Sequence, residues 1–208
     1  MFGADILTFR EFKMREPLPL ATLHNAVFEF LKNRDDVVVF GAQAVNAYVD
    51  EPRMTQDIDL LSPRAKELAS ELQDYLSNRF HIAVRIREIG VGRGYRLYQL
   101  RNEGNRHLVD LRSVAVLPSA RRMEDLLVIE PAELIAHKVI AYHQRKGTPK
   151  SGTDWRDIAL LLLTFPELKD STSKVKEHLT NGGASAEVLA TWEGLAAQDI
   201  RPEEEEDF

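Results

Sequence analysis

The stretch RMTQDIDLLS, residues 53–62, constrains the fold more than any other part of the chain. Asp57, Ile58, Asp59, Leu60 and Leu61 alternate polar and apolar as a half-buried β-strand does, so both carboxylates share one face. Two like charges aimed at one spot destabilise a strand unless a cation stands nearby. The sequence therefore demands a sheet whose central face carries a charged site, and a cationic group or ion to complete it.

A third carboxylate belongs to the same question. In RHLVDLRSV (106–114), Asp110 sits among Leu108, Val109 and Leu111, a poor place for an unpaired charge. If its strand lies beside 57–61, three hard oxygen donors converge. Such a set suits Mg²⁺, which keeps several waters and takes further ligands from phosphates, and two ions can share it. Upstream, the β-branched run DDVVVF (35–40) ends at Gly41, where GAQAVNAYV opens a helix. A glycine between strand and helix offers free N–H groups to an anion, although taken alone it is also an ordinary tight turn.

The remaining periodicities place these elements. LATLHNAVFEFLKNR (20–34) has helical apolar spacing, and SPRAKELASELQDYLSNRF opens a helix with Ser62 as cap and Pro63 at its first position. HIAVRIREI (81–89) and YRLYQLR (95–101) alternate around GVGRG, which joins two strands and is read as a hairpin turn rather than a phosphate loop. From residue 130 the period turns helical, with helices over 130–146 and 154–165 and two shorter ones flanking NGG (181–183). The expected fold is α+β: a small mixed β-sheet core with flanking helices over 1–117, a C-terminal helical bundle over 118–200, and an acidic, disordered tail over 201–208.

Composition narrows the setting. With no cysteine, disulfides and thiolate metal sites are excluded. His137 and His143 have no partner at metal-ligand spacing. No apolar run reaches membrane-spanning length and the N-terminus mixes charge into its apolar residues, so a cytoplasmic protein without a membrane partner is expected. The net charge of −6 owes five negatives to EEEED (203–207), leaving a near-neutral body. Within it, residues 85–112 hold arginines 85, 87, 93, 96, 101, 106 and 112 against Glu88, Glu103 and Asp110. Two readings stand open, a solvated sheet face and a face turned toward an anion such as RNA.

VVVFGAQAVNAYVDEPRMTQDIDLLS, HLVDLRS and PAELIAHKVIAYHQRKGTPKSGTDWRDIALLL together resemble the nucleotidyltransferase superfamily of the DNA polymerase β type, over about residues 20–165. Within it, the chain is most similar to the abortive-infection toxin-type and minimal nucleotidyltransferases. The resemblance implies an enzyme that moves an NMP from an NTP to a hydroxyl of RNA (a tRNA end, for instance), a protein or a small molecule. Such a chain can be the toxin of a toxin–antitoxin pair, with an antitoxin or other regulator as partner. It implies that Gly41 and Ala42 hold the triphosphate, that Asp57 and Asp59 bind metal, and that Asp110 is the third carboxylate and catalytic base. Arg53 and Thr55 match the family's RxTxD lead-in. Lys138 matches a lysine that reaches nucleotide phosphates, with Asp154 and Asp157 orienting it. Read without the resemblance, Lys138 is a solvent-facing lysine, Asp154 a helix cap and Asp157 the partner of an arginine. Ala42 departs from the serine of many members and lacks its hydroxyl. The alternative is a non-catalytic nucleotide-binding regulatory module of the same fold.

Overall fold

The computed structural model describes residues 18–170 and 174–202, so the N-terminal segment and the acidic run 203–207 lie outside the described residues. The chain divides into two compact units, one running to Ala47 and resuming over Pro52–Ile129, the other formed by Tyr48–Glu51 and the chain from Glu130 onward.

In the first unit, helix α1 (Leu20–Leu31) precedes strand β1 (Val38–Phe40), helix α2 (Gly41–Tyr48, its last residue already in the second unit) and strand β2 (Ile58–Ser62). Helix α3 (Ala65–Phe80) leads to the β3 (Val84–Glu88) and β4 (Gly94–Gln99) hairpin, then β5 (Arg106–Ser113), β6 (Ala120–Met123) and β7 (Leu126–Ile129). Among the described residues these strands form one mixed sheet in the order β3-β4-β5-β2-β1-β7-β6. β2 runs antiparallel to β1 and parallel to β5.

One face of that sheet is apolar because alternate residues of its strands are. Val39, Ile58, Leu60, Leu97, Val109 and Leu111 pack with Leu23, Val27 and Leu31 of α1 and with Leu68, Leu72 and Leu76 of α3. The α3 leucines recur every fourth residue, which keeps them on one helical stripe, and each contributes roughly 1.5–3 kcal/mol by burial. Alternation then leaves Asp57, Asp59 and Asp110 on the opposite face.

Three boundaries differ from those the sequence suggests. α3 begins at Ala65, not at Pro63; Ser62 completes β2, and its Oγ accepts the Arg64 N–H at 3.0 Å while donating to the Asp36 carbonyl. The sheet continues past residue 117, where the sequence reading ended the core, through the β6–β7 hairpin; β7 pairs with β1. In the second unit, α4 (Pro131–Gln144) matches its expected range, but α5 (Pro149–Thr164) starts a full turn before residue 154. Pro149 takes the first turn, where its missing N–H costs nothing. A 3-10 turn (Pro166–Lys169), α6 (Lys174–Asn181) and α7 (Ala186–Ala196) complete the unit.

Candidate active site

Asp59 and Asp110 are direct register partners on the parallel strands β2 and β5, so their carboxylates emerge side by side. Asp57 lies just before β2, two residues from Asp59 and on the same face. The three carboxylates expected to converge from the sequence are thus carried by neighbouring strands.

The nitrogen donors that make this arrangement tolerable are the His107 imidazole and the Arg96 guanidinium. His107 Nδ1 lies 3.0 Å from Asp57 Oδ2, and Arg96 Nε donates to Asp110 Oδ2 at 3.1 Å. His107 reaches the carboxylate face through a β-bulge: Leu97 faces Val109, but Tyr98 faces His107, leaving Leu108 as the extra residue. The imidazole also stacks on Tyr98, ring centroids 4.9 Å apart. The His107 hydrogen bond holds the Asp57 carboxyl below the usual carboxylate range, although burial works the other way. Burial in turn opposes charge on His107, but the hydrogen bond and charge of Asp57, with Asp110 behind it, outweigh burial and raise the imidazole pKa.

Gly41 is fixed by the same cluster. It follows β1 with φ +68°, a left-handed conformation, and a Cβ built there would stand 2.0 Å from Asp59 Oδ2. Only glycine lets the start of α2 approach the carboxylate this closely. Ala42 follows as the next residue of α2, half-buried.

Two amide side chains missed by the sequence reading anchor the RxTxD lead-in to α2. Asn46 Nδ2 donates to the Arg53 carbonyl at 2.8 Å, and its Oδ1 accepts the Arg53 N–H at 3.0 Å. Gln43 Nε2 donates to Thr55 Oγ1 at 2.9 Å, and that hydroxyl donates to the Asp57 carbonyl at 3.0 Å. The Thr55 hydroxyl is committed to placing Asp57. Gln43 and Asn46, one helical turn apart and buried, had a legible signal: polar amides on an otherwise apolar helix.

Lys138, Asp154 and Asp157 stand in the second unit and are all buried. Lys138 Nζ is 2.6 Å from Asp157 Oδ2, joining α4 to α5, so Lys138 is not the solvent-facing residue its helix position alone suggests. Asp154 accepts from Arg145 Nη1 at 2.9 Å in mid-helix and caps nothing.

The donor set of Asp57, Asp59 and Asp110 is all oxygen and chemically suited to Mg²⁺. Among the described residues, however, no three histidines or carboxylates are gathered closely enough to hold an ion. Two of the three carboxylates are engaged by His107 and Arg96, and an arriving cation would compete with those contacts.

The sequence matches, over residues 26–207, the family described as nucleotidyl transferase AbiEii toxin, type IV TA system. Among curated proteins, none matches it significantly. Among solved structures, the fold is similar to that of the Megavirus polyadenylate synthase (14% identity, TM-score 0.61, 79% of this chain and 35% of that one). This chain thus spans about a third of that protein's length. It is also similar to JHP933 from Helicobacter pylori (13% identity, TM-score 0.54, 92% of each chain) and to the antibiotic-resistance factor ANT(2'')-Ia (14% identity, TM-score 0.50, 77% of this chain and 87% of that one). At such identities the likeness is one of fold.

Proposed function

The chain belongs to the AbiEii nucleotidyl transferase toxin family of type IV toxin–antitoxin systems, and from that premise we propose that it transfers a nucleoside monophosphate from an NTP to a hydroxyl acceptor, acting as a toxin held in check by an antitoxin partner. The observation that supports this reading is the register pair Asp59–Asp110, flanked by Asp57 and closed against Gly41. A plain sheet has no use for three aspartates on one face of adjacent strands. A nucleotide-polymerising site does.

In this reading the acceptor oxygen bonds to the α-phosphorus of the NTP, the bond between that phosphorus and the bridging oxygen breaks, and pyrophosphate departs with the electron pair. The proton of the acceptor hydroxyl passes to Asp110. Backbone N–H groups of Gly41 and Ala42, at the positive end of α2, bind the phosphates, and they serve without the serine hydroxyl found in many relatives. Thr55 and Gln43 hold the Asp57 main chain in place. Asp57, Asp59 and Asp110 would hold Mg²⁺, in one ion or two, which when bound neutralises charge on the phosphates and the attacking oxygen. Lys138 contributes by tying α4 to α5 through Asp157.

The test is transfer of label from an α-labelled NTP, with Mg²⁺ present, to RNA, protein or small-molecule acceptors. Wild type should label an acceptor and Asp59→Ala should not. NTP binding without any transfer would favour the non-catalytic regulatory module, and equal labelling by Asp59→Ala would sink the site assignment.

A further inference from the structure

The register that pairs Asp59 with Asp110 continues outward to the edge of the sheet. Asp110 faces Arg96 on β4, and Arg96 faces Arg87 on β3, the edge strand. A second row runs beside it: Asp57 pairs with His107, His107 stacks on Tyr98, and Tyr98 faces Arg85. Arg85 and Arg87 are two residues apart, as are Arg96 and Tyr98, so both rows lie on the carboxylate face. Two parallel tracks therefore lead from exposed arginines at the sheet edge to the aspartates.

The charge along these rows is unbalanced. Arg87 stands directly opposite Arg96, a like-charge pair that costs stability. Arg96 has Asp110 for relief, whereas Arg85 and Arg87 are exposed and have no carboxylate partner among the described residues. Elsewhere arginines are matched: Arg34 and Arg64 with Asp36, Arg79 with Glu29, Arg122 with Asp35. Of the other arginines in 85–112, Arg101 pairs with Glu103, Arg106 bonds to the Leu18 carbonyl and Arg112 lies over the Phe40 ring, while Arg93 is exposed between β3 and β4. Arg85 and Arg87 thus add exposed positive charge to the edge of the strip that ends at Asp110.

We propose that this strip is an acceptor track for single-stranded nucleic acid, with Arg85 and Arg87 on backbone phosphates and a base against half-exposed Tyr98, delivering a terminal hydroxyl to Asp110. The proposal rests on the transferase reading above. A polyanion compensates the unmatched guanidinium groups, and an aromatic ring beside them serves exposed bases that a duplex would hide.

The experiment measures binding of a labelled single-stranded oligoribonucleotide with a free 3′-hydroxyl to the full chain across a salt series, alongside transfer to the same oligonucleotide. Arg85→Gln/Arg87→Gln should lower the slope of log affinity against log salt by about 1.4, since each single-strand phosphate contact contributes about 0.7. Arg79→Gln/Arg122→Gln removes the same charge outside the strip and should leave the slope near wild type. The track is overturned if the first variant keeps the wild-type slope, if the second loses as much, or if a polyglutamate peptide competes as well as the oligonucleotide. Asp59→Ala separates the two ideas. It should bind the oligonucleotide with the wild-type slope and transfer nothing; normal transfer by it would sink the site assignment, whereas slopes as expected with no transfer by wild type would sink the transferase reading alone. An unchanged slope in Arg85→Gln/Arg87→Gln, with transfer intact, would sink the track alone.

Discussion

The carboxylate of Asp59 occupies the space in which a side chain at residue 41 would have to begin. Gly41→Ala must therefore displace Asp59 as well as hold alanine at a left-handed φ, which by itself costs about 1–2 kcal/mol. We expect a total loss of at least about 2 kcal/mol, with transfer lost through misplacement of Asp59. In an Asp59→Gly background the same change should cost only the backbone strain. Urea unfolding of the four proteins in this cycle checks it, and additive costs would show that the two residues are not coupled.

The pair His107–Asp57 makes stability depend on pH in a defined window. His107 has a raised pKa, so its contribution is complete below the ordinary imidazole value of about 6.5 and fades as pH climbs through the raised value. Asp57 has a lowered pKa, so its contribution is complete above the ordinary carboxylate value and fades as pH falls through the lowered one. Between about pH 4 and 6.5 both are present. With both side chains partly exposed, His107→Gln should cost about 1 kcal/mol near pH 5.5 and progressively less as pH climbs through the raised imidazole value. A cost independent of pH would point to lost stacking on Tyr98 instead.

Asp110 should separate binding from turnover. Asp110→Asn keeps much of the shape and removes the proton acceptor, so NTP affinity should largely survive while single-turnover transfer disappears. Asp57→Ala and Asp59→Ala should lose both, together with the rise in Tm expected of wild type with Mg²⁺ plus NTP. Normal transfer by Asp110→Asn would remove Asp110 from the chemistry.

Lys138 should behave as a structural residue. The Asp157 side chain is wholly buried, so Lys138→Ala removes the ammonium beside a buried carboxylate and should cost about 3–5 kcal/mol. Lys138→Met with Asp157→Leu should recover most of that. Should Lys138→Ala instead unfold like wild type and raise only the apparent KM for NTP, the amine contacts phosphate, as the family resemblance implies.

What was legible in the sequence was whatever alternation and glycine placement encode. Asp57, Asp59 and Asp110 announced themselves as charges inside apolar strands, and Gly41 as the break between strand and helix. His107 did not, because its arrival beside Asp57 depends on the bulge at Leu108, which no residue type there signals. The β6–β7 hairpin was equally silent. Its two-residue turn is Glu124-Asp125, both at positive φ, where Asn-Gly or Asp-Gly would have marked it. The early start of α5 hid behind Gly152 and Pro149, which read as loop until the proline is seen in the first turn.

The parallel ladder between β2 and β5 joins residues about fifty positions apart, whereas β1–β2 and β3–β4–β5 are antiparallel neighbours that can form locally. Asp57 and Asp59 stand on one side of that seam and Asp110 on the other. A nascent chain can therefore build both substructures while remaining chemically inert, because the reactive centre comes into being only when the seam closes.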